Sequence, residues 1–166
     1  MRVALIGFMG SGKTTVAREL SRLLSLPAVE LDDRILERSN RGSVREIFEI
    51  DGEPRFRALE REVCAELGAA PDVLVSCGGG VIESPENVSA LRAGGGAVVF
   101  LRTSFECIAS RLEGDTTRPL FQDRDEARRL YDSRVLRYEN AATHVVDTDG
   151  RTPADVAAAI VKELKR

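Results

Sequence analysis

One stretch near the amino terminus restricts the possible folds of this chain more than any other, the segment GFMGSGKT at residues 7–14. It matches the pattern G-x-x-x-x-G-K-[ST], in which glycines let backbone N–H groups turn inward onto phosphate oxygens. The apolar run at residues 3–6 precedes it, and apolar residues at helical spacing follow it between residues 16 and 24. In this order of strand, loop and helix, the segment lies at the N-terminus of a helix, where free N–H groups and the helix dipole favour binding of an anion. We therefore predict a nucleoside triphosphate site.

The chemistry of the loop residues assigns their roles. Lys13 can reach the β- and γ-phosphates of ATP, and the Thr14 hydroxyl can ligate Mg²⁺. The predicted nucleotide-binding residues of the loop are Gly10, Ser11, Gly12, Lys13, Thr14 and Thr15. The loop predicts binding of ATP with Mg²⁺, and the fate of the nucleotide must be inferred from other residues.

Short apolar runs alternate with helical patterns along the whole chain. The predicted strands lie at residues 3–6, 28–31, 73–75, 97–101 and 143–146. Five short strands separated by helices indicate an α/β fold, with a parallel sheet covered by helices on both faces. At 166 residues the chain fits a single domain, 1–166.

Charge and composition exclude several classes of function. The net charge of −3 argues against a general binder of nucleic acid or anionic membranes. No segment approaches the roughly 20 apolar residues of a membrane span. We interpret Cys64, Cys77 and Cys107 as small apolar residues in a reducing cytoplasm, and His144 as a structural or surface residue.

Three further clusters suggest a second ligand. Asp32 and Asp33 follow the second predicted strand, the segment 52–57 with Glu60 opens a long helix, and three glycines at 78–80 follow the third strand. Each cluster alone has an ordinary explanation as a helix cap, a surface ion pair or a loop. Ligands of open α/β sheets bind at the carboxyl ends of strands. The combination therefore favours a site for a small acceptor.

These stretches resemble the shikimate kinase family along nearly the whole chain. The matching segments are GFMGSGKTT, DRILE from Asp33, GSVREIFEIDGEPRFRALE, CGGGV, TRPL around Arg118, and residues 134–142. The resemblance implies a doubly wound P-loop kinase sheet of order 2-3-1-4-5. It further implies an acceptor-binding region at about 32–61 and a mobile lid at about 112–125. The implied reaction transfers the γ-phosphoryl group of ATP to the 3-hydroxyl of shikimate, in aromatic amino-acid biosynthesis, and we expect a monomer.

The resemblance also implies roles for individual acceptor residues. By position, Asp33 holds the hydroxyl groups of shikimate and is a catalytic residue. Arg57 and Arg134 bind the carboxylate, Gly79 lines the pocket, and Glu60 orients Arg57. Arginine forks are well suited to a carboxylate ligand, so the residue chemistry agrees with this assignment.

On the nucleotide side, the resemblance makes Arg118 a catalytic lid residue that reaches the phosphates. Arg111 and Arg151 flank the adenine. A cation on a closing loop offsets negative charge in the transition state and helps to exclude water.

Two positions depart from the family pattern. The family usually has Asp-x-Asp at the end of the second strand, and in register with DRILE the first aspartate falls on Leu31, which leaves the role of Asp32 open. Leu136 and Arg137 stand where the family usually has proline and leucine before the tyrosine.

Two other functions compatible with the loop are another small-metabolite kinase, such as one acting on gluconate, and a nucleotide-binding module without turnover. A kinase of this first kind would not need two arginines for a carboxylate on a hydroxylated ring. The absence of an N-K-x-D base selector disfavours a GTPase switch.

Overall fold

The strands form one parallel sheet in the order that the family resemblance implied. The structure is a computed structural model that describes residues 1–113 and 123–166. Its strands are β1 (Arg2–Ile6), β2 (Ala28–Glu30), β3 (Val73–Ser76), β4 (Ala97–Arg102) and β5 (His144–Asp147). They pair as β2-β3-β1-β4-β5, and all the pairings are parallel. The predicted doubly wound sheet is thereby confirmed.

Helices connect the strands and cover both faces of the sheet. They are α1 (Lys13–Leu24), α2 (Leu31–Ser39), α3 (Val44–Glu46), α4 (Glu53–Ala69), α5 (Pro85–Arg92), α6 (Phe105–Leu112), α7 (Arg124–Ala141) and α8 (Pro153–Leu164). A π-helical turn spans Ile47–Asp51, and 3₁₀ turns span Val81–Glu83 and Ala93–Gly95. Within 1–113 and 123–166, no helix has the length and apolar character needed to cross a membrane.

The alternation of side chains along the strands divides the core into two clusters. On β1, Ala4 and Ile6 face one cluster and Val3 and Leu5 face the other, as a period of two requires. The first cluster includes residues of α2, α4 and α5, and the second includes residues of α1 and α8. Because both of their faces are buried, the three central strands β1, β3 and β4 are largely apolar runs without polar alternation. Parallel pairing also brings all their carboxyl ends to one edge.

The second strand ends one residue earlier than the sequence predicted. β2 stops at Glu30, and Leu31 begins α2. Leu31 and Ile35 are fully buried one helical turn apart, because a helix returns to the same face after about 3.6 residues. This helical phase, rather than strand alternation, determines where Asp32 and Asp33 point.

At the carboxyl ends of β4 and β5, two threonines join the neighbouring strands. The Oγ1 atoms of Thr103 and Thr148 lie 2.5 Å apart, and both residues are buried. Ser104 caps α6 by accepting a hydrogen bond from the Cys107 N–H at 3.2 Å. The end of this helix, at Leu112, leads into the predicted lid at 112–125. Residues 114–122 of that segment, with Arg118, lie outside the described residues.

Candidate active site

A cavity of about 580 Å³ lies at the carboxyl edge of the sheet, around the N-terminus of α1. Its walls include every residue predicted in the phosphate loop, together with both arginines predicted near the adenine. These lining residues are Gly10, Ser11, Gly12, Lys13, Thr14, Thr15, Arg111 and Arg151. The structure therefore brings the predicted nucleotide-binding residues together, with the exception of Arg118, which lies outside the part of the chain that it describes.

The loop conformation explains two of its glycines. Gly10 and Gly12 have φ values of 76° and 91°, in the left-handed region that favours glycine. A Cβ atom on Gly10 would also lie only 2.7 Å from Cδ1 of Leu112. Lys13 folds over the loop, where its Nζ donates to the carbonyls of Gly7 at 2.7 Å and Phe8 at 2.9 Å. The lysine charge thus lies beside the predicted phosphate cradle.

The two predicted adenine-flanking arginines occupy different parts of the cavity. Arg111 donates from Nη1 to the Gly10 carbonyl at 2.9 Å, which places its guanidinium against the phosphate loop. Arg151 lines the cavity with Thr148 and Pro153, at the end of β5 and the start of α8. The sequence analysis did not predict Thr148 and Pro153 as cavity residues, although their position after a predicted parallel strand was a usable signal.

Three consecutive glycines after β3 each face a different functional side chain. A Cβ atom on Gly78 would lie 3.0 Å from Oδ1 of Asp32, and one on Gly79 would lie 3.6 Å from Nη1 of Arg134. On Gly80 it would lie 2.6 Å from Nη1 of Arg57. One carboxylate and two guanidinium groups therefore approach a backbone segment without side chains closely; of these three side chains, Asp32 is the one that lines the cavity.

Asp32, not Asp33, is the carboxylate in this site, so the placement predicted from the sequence register is wrong. Asp32 lines the cavity, whereas Asp33 is exposed to solvent. The reason is the phase of α2: with Leu31 and Ile35 buried, Asp32 is turned toward the glycine run. Burial raises the pKa of Asp32 above its usual value, an effect that the charge of Lys13 opposes. Its Oδ1 atom is buried without a hydrogen-bond partner among the described residues.

Glu30 is a second carboxylate that the sequence analysis missed. It is half-buried at the end of β2, and it lines the same cavity as Asp32. Glu30 and Asp32 preserve the spacing of two acidic residues separated by one, which the family usually shows as Asp-x-Asp. The buried Leu31 lies between them and belongs to the core, so the departure predicted at Leu31 arises from the one-residue error in register.

Arg57 is held in place by a buried carboxylate. Its Nη1 donates to Glu60 Oε1 at 3.0 Å and to the Gly80 carbonyl at 3.1 Å. Glu60 is 1% exposed, and it also accepts from Asn87 Nδ2 at 3.2 Å. Burial raises the pKa of Glu60, and the neighbouring Arg57 opposes that rise. This geometry agrees with the predicted role of Glu60 in orienting Arg57.

Arg134 approaches the glycine run from α7. It is 9% exposed, and its Nε donates to Glu83 Oε1 at 3.0 Å. One helical turn later, the Tyr138 hydroxyl donates to the Gly79 carbonyl at 2.5 Å. Burial raises the pKa of Tyr138 to about 12, so this hydroxyl remains protonated at neutral pH. Arg134 and Tyr138 together fix α7 against the pocket.

Comparison with protein families and individual proteins assigns this arrangement to one group. A family model described as shikimate kinase matches residues 9–165. The shikimate kinase of Caldicellulosiruptor saccharolyticus is 38% identical, over 99% of this chain and 98% of that protein. The shikimate kinase of Pseudomonas syringae is 40% identical, over 96% of this chain and 94% of that protein.

Solved structures give the same assignment. A shikimate kinase from Acinetobacter baumannii in complex with shikimate matches with a TM-score of 0.90 and 32% identity, over 99% of this chain and 92% of that one. A gluconokinase from Sinorhizobium meliloti matches over 99% of this chain and 95% of that one, with a TM-score of 0.60 and 20% identity, and shares only the fold. Since the family match extends over almost all of its residues, the chain belongs to the shikimate kinase family and is an ATP-dependent enzyme.

Proposed function

We propose that this enzyme transfers the γ-phosphoryl group of ATP to the 3-hydroxyl of shikimate, a step of aromatic amino-acid biosynthesis. The observation that carries the proposal is the convergence of Asp32, Arg134 and Arg57 on three successive glycines beside the phosphate loop. Shikimate offers a carboxylate and hydroxyl groups, and the site offers two guanidinium groups and one carboxylate. Each kind of polar group on shikimate therefore has a complementary group in the site.

On the acceptor side, Arg57 and Arg134 bind the carboxylate and Asp32 binds the hydroxyl groups. A charge-assisted hydrogen bond contributes roughly 1.5–3 kcal/mol, so two guanidinium groups favour a carboxylate strongly over a neutral group. The unpartnered Oδ1 of Asp32 is a ready acceptor for the hydroxyl that attacks the phosphoryl group. In this proposal Asp32 takes the hydroxyl-binding role that the sequence register gave to Asp33.

On the donor side, backbone N–H groups of the phosphate loop and the N-terminus of α1 bind the phosphates. Lys13 exchanges its loop carbonyl partners for phosphate oxygens and offsets the charge that develops on the transferring group. Phosphoryl transfer has a loose transition state that needs little early proton removal. Asp32 therefore acts mainly by orienting the attacking hydroxyl and accepts its proton late.

The residues around the loop also fit Mg²⁺. This cation prefers oxygen ligands and keeps several waters, and Thr14, Glu30 and Asp32 place a hydroxyl and two carboxylates on the same cavity. Thr14 would hold the ion directly, with the carboxylates binding its waters. When bound, Mg²⁺ neutralises phosphate charge.

Three further properties belong to the proposal. Arg118, outside the described residues, is the cation that a closing lid at about 112–125 brings to the phosphates. The enzyme works as a monomer in the cytoplasm. Gel filtration with light scattering at the concentration used for kinetics tests the monomer, and an Arg118→Ala variant tests the lid cation through kcat.

The activity is tested with ATP and Mg²⁺ in an assay that couples ADP formation to NADH oxidation. Shikimate, gluconate and quinate are compared as acceptors at equal concentrations. We expect shikimate to give about 10 to 150 times the kcat/KM of the other acids, since losing one charge-assisted contact costs roughly 1.5–3 kcal/mol. Faster turnover with gluconate would refute the proposed acceptor. ATP binding without turnover on any acceptor would favour a nucleotide-binding module.

A further inference from the structure

Glu83 joins two arginines of α7 at the edge of the acceptor pocket. It is the last residue of the 3₁₀ turn that follows the glycine run. Its Oε1 accepts from Arg134 Nε at 3.0 Å, and its Oε2 accepts from Arg137 Nη1 at 3.1 Å. Arg137 also donates from Nη2 to the Ile82 carbonyl at 3.2 Å. A single carboxylate thus links α7 to the turn that follows the glycine run.

This contact determines which edge of the Arg134 guanidinium faces the acceptor. A guanidinium can bind a carboxylate through Nε with one Nη, or through its two Nη atoms. Because Glu83 occupies Nε, a ligand must approach Arg134 through the two terminal nitrogens. Nη1 lies 3.6 Å from the position of a Cβ atom on Gly79, so this Nη edge faces the glycine run, where the Tyr138 hydroxyl also contacts the guanidinium.

The two arginines of the pocket are held by different means. Arg57 is bound by Glu60 on the same helix, and Glu60 is 1% exposed. Arg134 is bound by Glu83 from another part of the chain, and the Glu83 side chain is 32% exposed. Arg134 is long, and ordering such a side chain in one conformation costs rotamer entropy. A contact that orders Arg134 before the ligand arrives therefore increases affinity for the ligand.

Arg137 explains how Glu83 remains ionised in this position. Partial burial disfavours the charged carboxylate, but the hydrogen bonds from Arg134 and Arg137 outweigh that effect and hold the pKa of Glu83 below its usual value. Arg137 stands where the family usually has leucine. In the structure Arg137 forms an ion pair with Glu83, so the two side chains belong to the same contact.

We propose that Glu83 is a positioning residue for the acceptor: it holds the Nε edge of Arg134 so that the Nη edge is presented to the shikimate carboxylate. The inference rests on the proposed function. Glu83 acts through Arg134 and touches neither the phosphates nor the attacking hydroxyl. Its removal should therefore weaken acceptor binding and leave the chemical step almost unchanged.

The test is steady-state kinetics of Glu83→Ala and Glu83→Gln with shikimate and ATP·Mg²⁺. We expect Glu83→Ala to raise the KM for shikimate about tenfold, with kcat and the KM for ATP within about twofold, since Arg134 must then be ordered as the ligand binds. Glu83→Gln should raise it less, about threefold, because its amide oxygen still accepts from Nε. The matched control is Glu86→Ala, which removes the same charge from an exposed position in the first turn of α5. It should leave the KM for shikimate unchanged.

Two further measurements separate positioning from a general structural role. In an Arg134→Ala background, Glu83→Ala should change the KM for shikimate no further, because the residue that it positions is gone. The methyl ester of shikimate, which lacks the carboxylate charge, should have a KM that is insensitive to Glu83→Ala.

Distinct results would overturn the inference. An unchanged KM for shikimate in Glu83→Ala would do so, as would equal increases for shikimate and ATP accompanied by a lower melting temperature. The second pattern would assign Glu83 to structural attachment of α7. An absence of turnover with shikimate in the wild-type enzyme would overturn the proposed function together with this inference, whereas wild-type turnover with an unaltered Glu83→Ala variant overturns the inference alone.

Discussion

The exchange of Asp32 for asparagine is the most demanding test of the site, and Asp33→Asn is its matched control. Asp32 is turned into the cavity with an unpartnered carboxylate oxygen, whereas Asp33 is exposed on the same helical turn. A charge-assisted hydrogen bond contributes roughly 1.5–3 kcal/mol, and each 1.36 kcal/mol corresponds to about a factor of ten in rate. Its loss therefore predicts a decrease of about 10- to 150-fold in kcat/KM for Asp32→Asn. Asp33 is exposed and does not line the cavity, so Asp33→Asn should alter kcat/KM by about twofold at most, or about 0.4 kcal/mol in the activation free energy.

Stability should change in the opposite direction to activity. Because burial raises the pKa of Asp32 in the folded state, the contribution of Asp32 to the stability of the wild type is largest below its unfolded-state pKa. It falls as the pH rises through the folded-state pKa. Asparagine is neutral at every pH and avoids this loss. Asp32→Asn should therefore have a higher free energy of unfolding than the wild type at pH 7, and the difference should vanish at about pH 3.

Both effects are measured on the same proteins. The coupled assay at saturating Mg²⁺ gives kcat/KM, and urea unfolding between pH 3 and pH 7 gives the free energy of unfolding. Equal losses of kcat/KM in Asp32→Asn and Asp33→Asn would refute the assignment of Asp32. A destabilised Asp32→Asn variant at pH 7 would refute the argument from burial.

Three other changes test separate parts of the molecule. Lys13→Met should lower kcat by about 100-fold or more, since it removes charge stabilisation from the transferring group, with an unchanged circular dichroism spectrum; a variant that retains a tenth of wild-type kcat would contradict the role of Lys13. Gly80→Ala should raise the KM for shikimate about tenfold, because its Cβ atom would displace the Arg57 guanidinium, and an unaltered KM would place the acceptor carboxylate elsewhere. Burial raises the pKa of the Cys64 thiol to about 12, so Ellman's reagent at pH 8 should modify only the partly exposed Cys107 in the folded protein; labelling of additional thiols without denaturant would contradict the burial.

The sheet and the phosphate loop could be predicted because their signals are local. The loop at residues 7–14 has an identifiable spacing of glycines and lysine, and each apolar run is bounded by polar or glycine residues. Both ends of every predicted strand lie within one residue of the observed ends. Strand order is a non-local property, and here it followed from the family resemblance.

The incorrect placement of Asp33, instead of Asp32, in the site has a simple physical origin. The sequence analysis treated the residues after Ala28 as a strand up to Leu31, whereas the helix begins at Leu31. At about 100° per residue, the apolar face defined by Leu31 and Ile35 includes Asp32 near its border and places Asp33 on the opposite side. A helical projection of residues 31–39 would have found this arrangement. The contact between Glu83 and Arg134, separated by 51 residues, had no comparable local signal.

The position of the glycine run has a consequence for how new acceptors can arise on this fold. The phosphate loop follows β1 and the glycine run follows β3, and these strands are adjacent in the sheet. Neighbouring strands are about 4.8 Å apart, so the sheet itself sets the separation between the donor and acceptor sites. In the proposed acceptor site, the contacting side chains Asp32, Arg57 and Arg134 come from α2, α4 and α7. Substitutions on those helices can therefore change the acceptor while the backbone continues to hold the reacting groups at the same distance.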